Sequence, residues 1–219
     1  MVNIKNIFFD LGGVLVDLDV RRTIEAFRRI VRTEDASSPI TAQGLLGGHD
    51  SLLIDRYQVG TISTREFIDT ILSVCREGTT EDDVIEAWHA MLLGISDENK
   101  QLLSDLNAAG YQIYVLSNIN AMHVDWVHAH CPELHALDEG FRQGYEPRHL
   151  FFSNEMHLSK PDPRCYEQVI SEAGILPAQT VYIDDLPANI EEGRRHGFLT
   201  IHATDSSWRN QLRQLIQLS

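Results

Sequence analysis

The sequence predicts an α/β protein with a doubly wound parallel sheet and a small all-helical cap domain, and three observations support this. Short, continuously apolar runs recur along the chain without the polar alternation of half-exposed strands, which is typical of buried parallel strands. Amphipathic helical segments separate most of these runs, and such alternation favours right-handed crossovers between parallel strands. One long segment near the N-terminus shows helical periodicity only, which indicates a helical cap inserted into the sheet domain.

The predicted strands and helices follow one another along the chain. The strands cover residues 4–9, 111–116, 150–152, 180–183 and 199–202. The helices between and after them cover residues 97–109, 163–173, 187–196 and 206–218. Their ends carry start and stop signals, such as Asp162 ahead of Pro163 at the first helical position and Gly174 after the last one.

The cap is predicted from residues 20–93, where apolar side chains recur at helical spacing in three stretches and where no strand is expected. Ser63 and Glu66 form a capping box that starts one of these helices. We therefore expect a Rossmann-like core domain from residues 1–17 and 94–219, and a helical cap domain from residues 18–93.

Composition narrows the class of function. The chain has 219 residues, with 18 lysines and arginines against 32 acidic residues and a formal net charge of −14. This charge argues against nucleic-acid partners, because a polyanion would be repelled and no basic run offers a local exception. The three cysteines lack C-x-x-C spacing, which fits a reducing compartment. No signal peptide is expected, and no apolar stretch approaches the roughly 20 residues that span a bilayer. We expect a cytoplasmic protein without membrane contact.

Polar residues follow four of the predicted strands, at or shortly after the point where each strand ends. They are Asp10, the pair Ser117 and Asn118, Lys160 after a short loop, and the pair Asp184 and Asp185. Each alone is an ordinary turn or helix-capping sequence. Because the carboxyl ends of parallel strands meet at one edge of a sheet, where open α/β folds bind ligands, we expect these side chains to converge in one crevice.

Convergence of this kind implies a cation. Asp10, Asp184 and Asp185 cannot all ionise within a few ångströms of one another without compensating charge. One lysine does not suffice, whereas a hard divalent cation does, and oxygen ligands without paired His or Cys favour Mg²⁺ over zinc. Mg²⁺ in proteins is usually bound by one or two carboxylates together with phosphate oxygens of the substrate, so we expect a phosphate ester beside it. The groups expected to bind its phosphoryl oxygens are the Ser117 hydroxyl, the Asn118 backbone N–H and the Lys160 ammonium.

The order of these residues resembles that of the haloacid dehalogenase (HAD) superfamily over nearly the whole chain. Residues 8–15 (FFDLGGVL) look like its first motif and residues 115–118 (VLSN) like its second. Residues 159–162 (SKPD) look like the third motif and residues 182–189 (YIDDLPAN) like the fourth. Residues 57–67 (YQVGTISTREF) resemble a cap segment frequent in the sugar-phosphate branch of that superfamily.

The resemblance implies an HAD-like core with a small cap and a phosphatase mechanism. Asp10 would attack phosphorus and form an aspartyl-phosphate, which water then hydrolyses. Mg²⁺ would be held by Asp10, the backbone carbonyl of Gly12 and Asp185, with Asp184 bound directly or through water. Lys160 would neutralise Asp10 and the phosphate, and the cap would close over the site and choose the substrate.

One position departs from the family pattern. The usual second aspartate, two residues after the nucleophile, serves as general acid and base, but here that residue is Gly12. Positioned acid–base groups contribute typically about 10²–10⁴-fold. The enzyme is therefore slow or restricted to good leaving groups, or another carboxylate (Asp17, Asp19 or Asp50) substitutes, or catalysis has been lost. Asp17 and Asp19 also fit solvated turn residues or a helix cap.

The function that we favour is an active phosphatase of a small phosphometabolite such as a sugar phosphate. Asp-Leu-Gly at residues 10–12 followed by Asp-x-Asp at 17–19 resembles the glucose-1-phosphate phosphatase branch. A metal-independent dehalogenase would use the same aspartate but would leave the Asp184–Asp185 pair without a purpose. A binding or regulatory protein without turnover remains open because of Gly12. The histidines, His123 among them, lack the spacing of a metal site.

Overall fold

The computed structural model describes residues 3–32, 52–137 and 148–218. Its strands are β1 (Asn6–Phe9), β2 (Val16–Leu18), β3 (Leu92–Ile95), β4 (Gln112–Ser117), β5 (Leu150–Phe152), β6 (Thr180–Asp184) and β7 (Leu199–His202). The described helices are α1 (Val20–Ile30), α2 (Leu52–Gln58), α3 (Thr64–Leu72), α4 (Glu81–His89), α5 (Asp97–Ala108), α6 (Ala121–His130), α7 (Pro132–Leu137), α8 (Ser153–Met156), α9 (Pro163–Ala173), α10 (Pro187–Arg195) and α11 (Trp208–Ile216).

Five strands form one parallel sheet in the order β5-β4-β1-β6-β7, which confirms the predicted α/β class. Every residue of the central strand β1 is buried, because helices cover both faces of the sheet. Ile7 and Phe9 pack with α5, α6 and α11 on one face, and Phe8 packs with α9 and α10 on the other. Side chains that alternate along one strand thus enter two separate apolar layers.

The helices of the sheet domain begin and end close to where the sequence places them. Asp162 caps α9 by accepting a hydrogen bond from the backbone N–H of Arg164, and Gly174 ends that helix with a left-handed backbone, φ 62°. Two helices after β4, α6 and α7, were not predicted. Apolar and histidine side chains lie all round α6, so its sequence shows no polar face that would reveal the helical period.

The helices α1 to α4 share an apolar cluster of their own. Its centre is aromatic: the ring of Phe67 stacks on Tyr57, with centroids 4.3 Å apart, and lies edge-on to Trp88 at 4.9 Å. The predicted capping box at Ser63 and Glu66 is present. None of the helices in the described ranges is long and apolar enough to cross a membrane.

A short antiparallel ribbon of β2 and β3 lies where the chain leaves β1 for α1 and where it returns from α4 to α5. Val16 pairs with Ile95 and Leu18 with Leu92. The sequence did not predict these strands, because strands of three and four residues are too short to show an alternating pattern. The ribbon places Leu18 against Gly12.

Candidate active site

The carboxyl edge of the sheet brings three carboxylates together. Phe9 pairs with Ile183, so the residues that follow them, Asp10 and Asp184, lie side by side. The backbone N–H of Asp10 donates to the carbonyl of Ile183 at 2.8 Å, which fixes this register. One oxygen from each of Asp10, Asp184 and Asp185 lies within 4.8 Å of the others. Residues far apart in sequence therefore form one acidic cluster.

Lys160 is the cation within this cluster. Its Nζ lies 3.0 Å from Oδ1 of Asp10 and 2.6 Å from Oδ2 of Asp184. The lysine is 4% exposed, and Asp184 is fully buried. A buried charge of this kind is tolerated only when it is paired, and here one ammonium is shared by two carboxylates.

Burial and mutual repulsion govern the titration of these groups. Burial raises the pKa of Asp10 to about 6, although Lys160 acts in the opposite direction. Burial and the nearby Asp184 raise the pKa of Asp185. Burial opposes the charge on Lys160, but Asp10 and Asp184 nevertheless raise the pKa of its ammonium. Three carboxylates share the one ammonium of Lys160, so the cluster has an excess of negative charge when all three are ionised. A divalent cation would compensate this charge.

The two adjacent aspartates, Asp184 and Asp185, have different surroundings. Both oxygens of Asp184 accept hydrogen bonds, from Tyr182 Oη at 2.5 Å, Leu186 N at 2.9 Å and Asn189 Nδ2 at 3.0 Å and 3.1 Å, besides Lys160. No comparable set of donors surrounds Asp185 in the described part of the chain, and its side chain is half-buried. Asp184 is therefore held by several donors together with Lys160, whereas the carboxylate of Asp185 is less enclosed.

Asn118 ties the end of β4 to the lysine loop. Its side-chain Nδ2 donates to the carbonyl of Lys160, and its Oδ1 accepts from the backbone N–H of Lys160, both at 2.8 Å. Both polar atoms of the Asn118 side chain are thereby engaged by the lysine loop. Ser117 and Asn118 both line a cavity next to the cluster.

Two glycines form the loop after Asp10. Gly13 has a left-handed backbone, φ 79°, and a Cβ at that position would lie 3.1 Å from Oδ2 of Asp185. Any other residue would strain the backbone and crowd the carboxylate. The sequence predicts no role for Gly13, although a Gly-Gly pair two and three residues after the aspartate is a signal for close backbone approach. A Cβ at Gly12 would lie 2.9 Å from Cδ1 of Leu18.

Two of the candidate replacements for the missing proton donor, Asp17 and Asp19, do not line the cavity beside Gly12. Asp17 is exposed and does not line the cavity beside Gly12. Asp19 caps α1 and its Oδ1 lies 3.1 Å from Nε of Arg21, and this hydrogen bond lowers the pKa of Asp19. Asp19 is therefore a helix cap, one of the interpretations that the sequence left open. Asp50 and most of residues 136–149, a segment whose role the sequence does not indicate, lie outside the described residues.

Comparisons with known proteins agree with this geometry. The family model of haloacid dehalogenase-like hydrolases matches residues 4–197. A D-ribitol-5-phosphate phosphatase of Bacteroides thetaiotaomicron is 27% identical over 210 residues, which cover 95% of this chain and 97% of that protein. A sesquiterpene phosphatase of Aspergillus oryzae is 29% identical over 116 residues, 52% of this chain and 54% of that protein.

Solved structures show the same fold. A HAD-family enzyme of B. thetaiotaomicron, in complex with magnesium and inorganic phosphate, superposes with a TM-score of 0.75 at 28% identity, covering 94% of this chain and 98% of that one. A HAD-like hydrolase of Porphyromonas gingivalis gives 0.75 at 26% identity, covering 97% and 98%. A dehalogenase at 17% identity and a TM-score of 0.63 shares the fold. By its sequence, its sheet and its cluster of aspartates, the chain belongs to the haloacid dehalogenase-like hydrolases.

Proposed function

We propose that the protein is a Mg²⁺-dependent phosphatase that hydrolyses a small phosphorylated metabolite through an aspartyl-phosphate on Asp10. The observation that carries this proposal is the convergence of Asp10, Asp184 and Asp185 around the buried ammonium of Lys160. Two relatives named as phosphatases, and a similar enzyme that binds magnesium and inorganic phosphate, support it.

The donor set fits Mg²⁺. It consists of carboxylate oxygens from three residues, without cysteine or histidine, and hard oxygen ligands suit this ion. Asp10, Asp185 and the backbone carbonyl of Gly12 would hold it. The two oxygens of Asp184 already accept several hydrogen bonds, so Asp184 would contact the ion through a water molecule or affect it only through neighbouring residues. When bound, the ion would neutralise phosphoryl oxygens and thereby favour attack at phosphorus.

The protein's own residues account for the phosphoryl transfer. A carboxylate oxygen of Asp10 attacks phosphorus, the bond from phosphorus to the ester oxygen breaks, and its electron pair leaves with that oxygen. The Ser117 hydroxyl, the Asn118 backbone N–H and the Lys160 ammonium bind the three-oxygen phosphoryl group during transfer. Water then attacks the phosphorus of the aspartyl-phosphate, which releases phosphate and restores Asp10.

The cap completes the proposal. We propose that residues 1–17 and 94–219 form the catalytic core and that residues 18–93 form a cap that closes over the carboxyl edge. Closure would exclude water from the phosphoryl group and select the alcohol of the ester. The matching phosphatases act on a ribitol phosphate in one case and a sesquiterpene phosphate in the other, so their names do not fix that alcohol. A sugar phosphate is one candidate.

A non-catalytic binding protein is the second candidate, and Gly12 is the observation that favours it. It would keep the metal and phosphate sites but release no phosphate. One experiment separates it from the phosphatase. Phosphate release from p-nitrophenyl phosphate and a panel of sugar phosphates is measured with Mg²⁺ and with chelator, for the wild type, Asp10→Asn and the exposed control Asp82→Asn.

We expect turnover that needs Mg²⁺, that Asp10→Asn abolishes and that Asp82→Asn leaves unchanged. Phosphate binding without turnover in the wild type would support the binding protein instead. Turnover that is insensitive to chelator would point to metal-independent chemistry, as in a dehalogenase, and would overturn the proposal.

A further inference from the structure

A cavity of about 290 Å³ opens directly beside the proposed phosphoryl site. Gly12, Ser117 and Asn118 form its wall on the side of the sheet. Pockets that bind small molecules are typically about 300–1,000 Å³. This volume is at the lower end of that range and suits a small organic group attached to a phosphate that is held at the edge of the sheet.

The rest of the wall is mainly apolar. The cap and the ribbon contribute Leu18, Val20, Ile54, Trp88 and Met91. Leu18 and Val20 are 38% and 41% exposed, so part of each apolar side chain is accessible from the cavity that they line. A polyol in this cavity would lose water from its hydroxyl groups and find few partners for them, at a cost for each unpaired group.

The polar residues of the wall are uncharged, and three of them, Asn118, Asn120 and His123, have side-chain hydrogen bonds within the protein. Asn120 Oδ1 accepts from Trp88 Nε1 at 3.3 Å and from the backbone N–H of His123 at 3.1 Å. His123 Nε2 lies 3.2 Å from the Trp88 carbonyl, and burial lowers the pKa of His123 to about 4, so its ring is neutral near pH 7. No ionised side chain lines the cavity among the residues that the structure describes. Nothing there would pair with a carboxylate or a second phosphate.

The position that normally carries the proton donor is part of the same wall. Gly12 offers no side chain, and a Cβ at residue 12 would lie only 2.9 Å from Leu18 Cδ1. A departing alkoxide would therefore receive no proton from this position. A phenolate needs much less protonation when it leaves, and a flat apolar ring suits a wall built from Leu18 and Trp88.

We propose that the substrate's organic group is uncharged, apolar and aromatic, so that the enzyme acts on aryl phosphate monoesters, with Leu18 as a specificity-determining residue. This inference rests on the proposed phosphatase function. In the step concerned, Asp10 bonds to phosphorus as the bond from phosphorus to the aryl oxygen breaks. The electron pair leaves on the phenolate, which takes its proton from water.

Matched esters test the inference. Phenyl phosphate is compared with 4-carboxyphenyl phosphate, which adds a charge, with ribitol 5-phosphate, a polyol ester, and with benzyl phosphate, an apolar ester of a poor leaving group. Acetyl phosphate, whose acetyl group is too small to fill the cavity, reports the phosphoryl chemistry alone. We expect kcat/KM for phenyl phosphate to exceed that for each of the other three organic esters by about tenfold or more.

The variant Leu18→Asn should lower kcat/KM for phenyl phosphate about tenfold more than that for acetyl phosphate. Leu176→Asn, at an exposed leucine outside the cavity, is the matched control and should change neither. Preference for the charged ester or the polyol, or an unchanged preference in Leu18→Asn, would overturn the inference while the phosphatase stands. Absence of Mg²⁺-dependent turnover on every ester, acetyl phosphate included, would remove the phosphatase proposal and this inference with it.

Discussion

Replacing Asp184 or its neighbour Asp185 by asparagine should affect stability in different ways. Asp184→Asn replaces one oxygen of a fully buried carboxylate by an NH₂ group. Whichever way the amide turns, that group faces donors: Lys160 and Tyr182 on one side, or Leu186 N and Asn189 on the other. The substitution also removes one of the two carboxylates that neutralise Lys160.

The magnitude follows from these contacts. Removing one partner of a buried ion pair costs about 3–5 kcal/mol, because the other charge remains buried. Lys160 keeps Asp10 at 3.0 Å, so we expect the lower end, about 3 kcal/mol. For a chain of this length each kcal/mol lowers Tm by roughly 2–4 °C, which gives a decrease of roughly 6–12 °C.

Asp185→Asn should behave differently. It removes one negative charge from a crowded cluster without taking away a hydrogen-bond acceptor for Lys160, so the metal-free protein should be as stable as the wild type or slightly more stable. What it should lose is the response to Mg²⁺. A ligand present at 100 times its Kd stabilises the folded state by about 2.7 kcal/mol, and this gain should disappear in Asp185→Asn.

Urea denaturation with chelator and then with increasing Mg²⁺ measures both effects in one assay. Asp82→Asn, an exposed aspartate of α4, is the control for the loss of a carboxylate as such. If metal-free Asp184→Asn is as stable as the wild type, the account of the Asp184 hydrogen bonds is wrong. If Asp185→Asn retains the full stabilisation by Mg²⁺, Asp185 is not a ligand.

Three further predictions concern the cavity and the cap. Burial lowers the pKa of His123 from 6.5 to about 4. Between these pH values the unfolded chain binds a proton that the folded protein does not bind. The free energy of unfolding therefore falls by about 2 kcal/mol from pH 7 to 5. In urea denaturation, His123→Gln should remove this part of the pH dependence of the free energy of unfolding. The same pH dependence in the variant and the wild type would contradict this role of His123. Gly12→Asp should raise kcat for benzyl phosphate by about tenfold or more relative to phenyl phosphate, once Leu18 rotates away; an equal effect on both would argue against proton donation. Phe67→Ala, at a fully buried ring that stacks on Tyr57, should cost about 3–5 kcal/mol. Hydrogen exchange should then show lost protection in the cap helices and not in β1 if the cap unfolds by itself, whereas equal losses would mean one cooperative unit.

The sheet and the convergence of the cluster could be predicted from the sequence, because both follow from rules that apply to whole strands. Parallel strands buried on both faces are continuously apolar, and their carboxyl ends share one edge. Knowing that Asp10 and Asp184 each end a strand was therefore enough to expect them together. The structure reports them within 4.8 Å, with Asp185 as the third member.

The details that distinguish members of the cluster could not be predicted in the same way. The family resemblance implies different roles for Asp184 and Asp185, but the sequence does not show the contacts of Tyr182, Asn189 and Lys160 that give Asp184 its surroundings. The ribbon was missed because its strands are too short to show a period, and α6 because its apolar residues lie on every side. These features depend on contacts between segments far apart along the chain.

The absence of a side chain at residue 12 links the chemistry of the site to its shape. A carboxyl group there would lie against Leu18 Cδ1, in an apolar wall and close to other carboxylates, and both conditions would raise its pKa and keep it protonated. Such a group would serve as the acid for the departing alcohol, and once it has given up that proton its carboxylate would be a base for the attacking water. Restoring the aspartate would thus assist both steps for an ester with a poor leaving group. A cavity this apolar is compatible with efficient turnover when the leaving group needs no acid, so the glycine and the leucine favour the same class of ester.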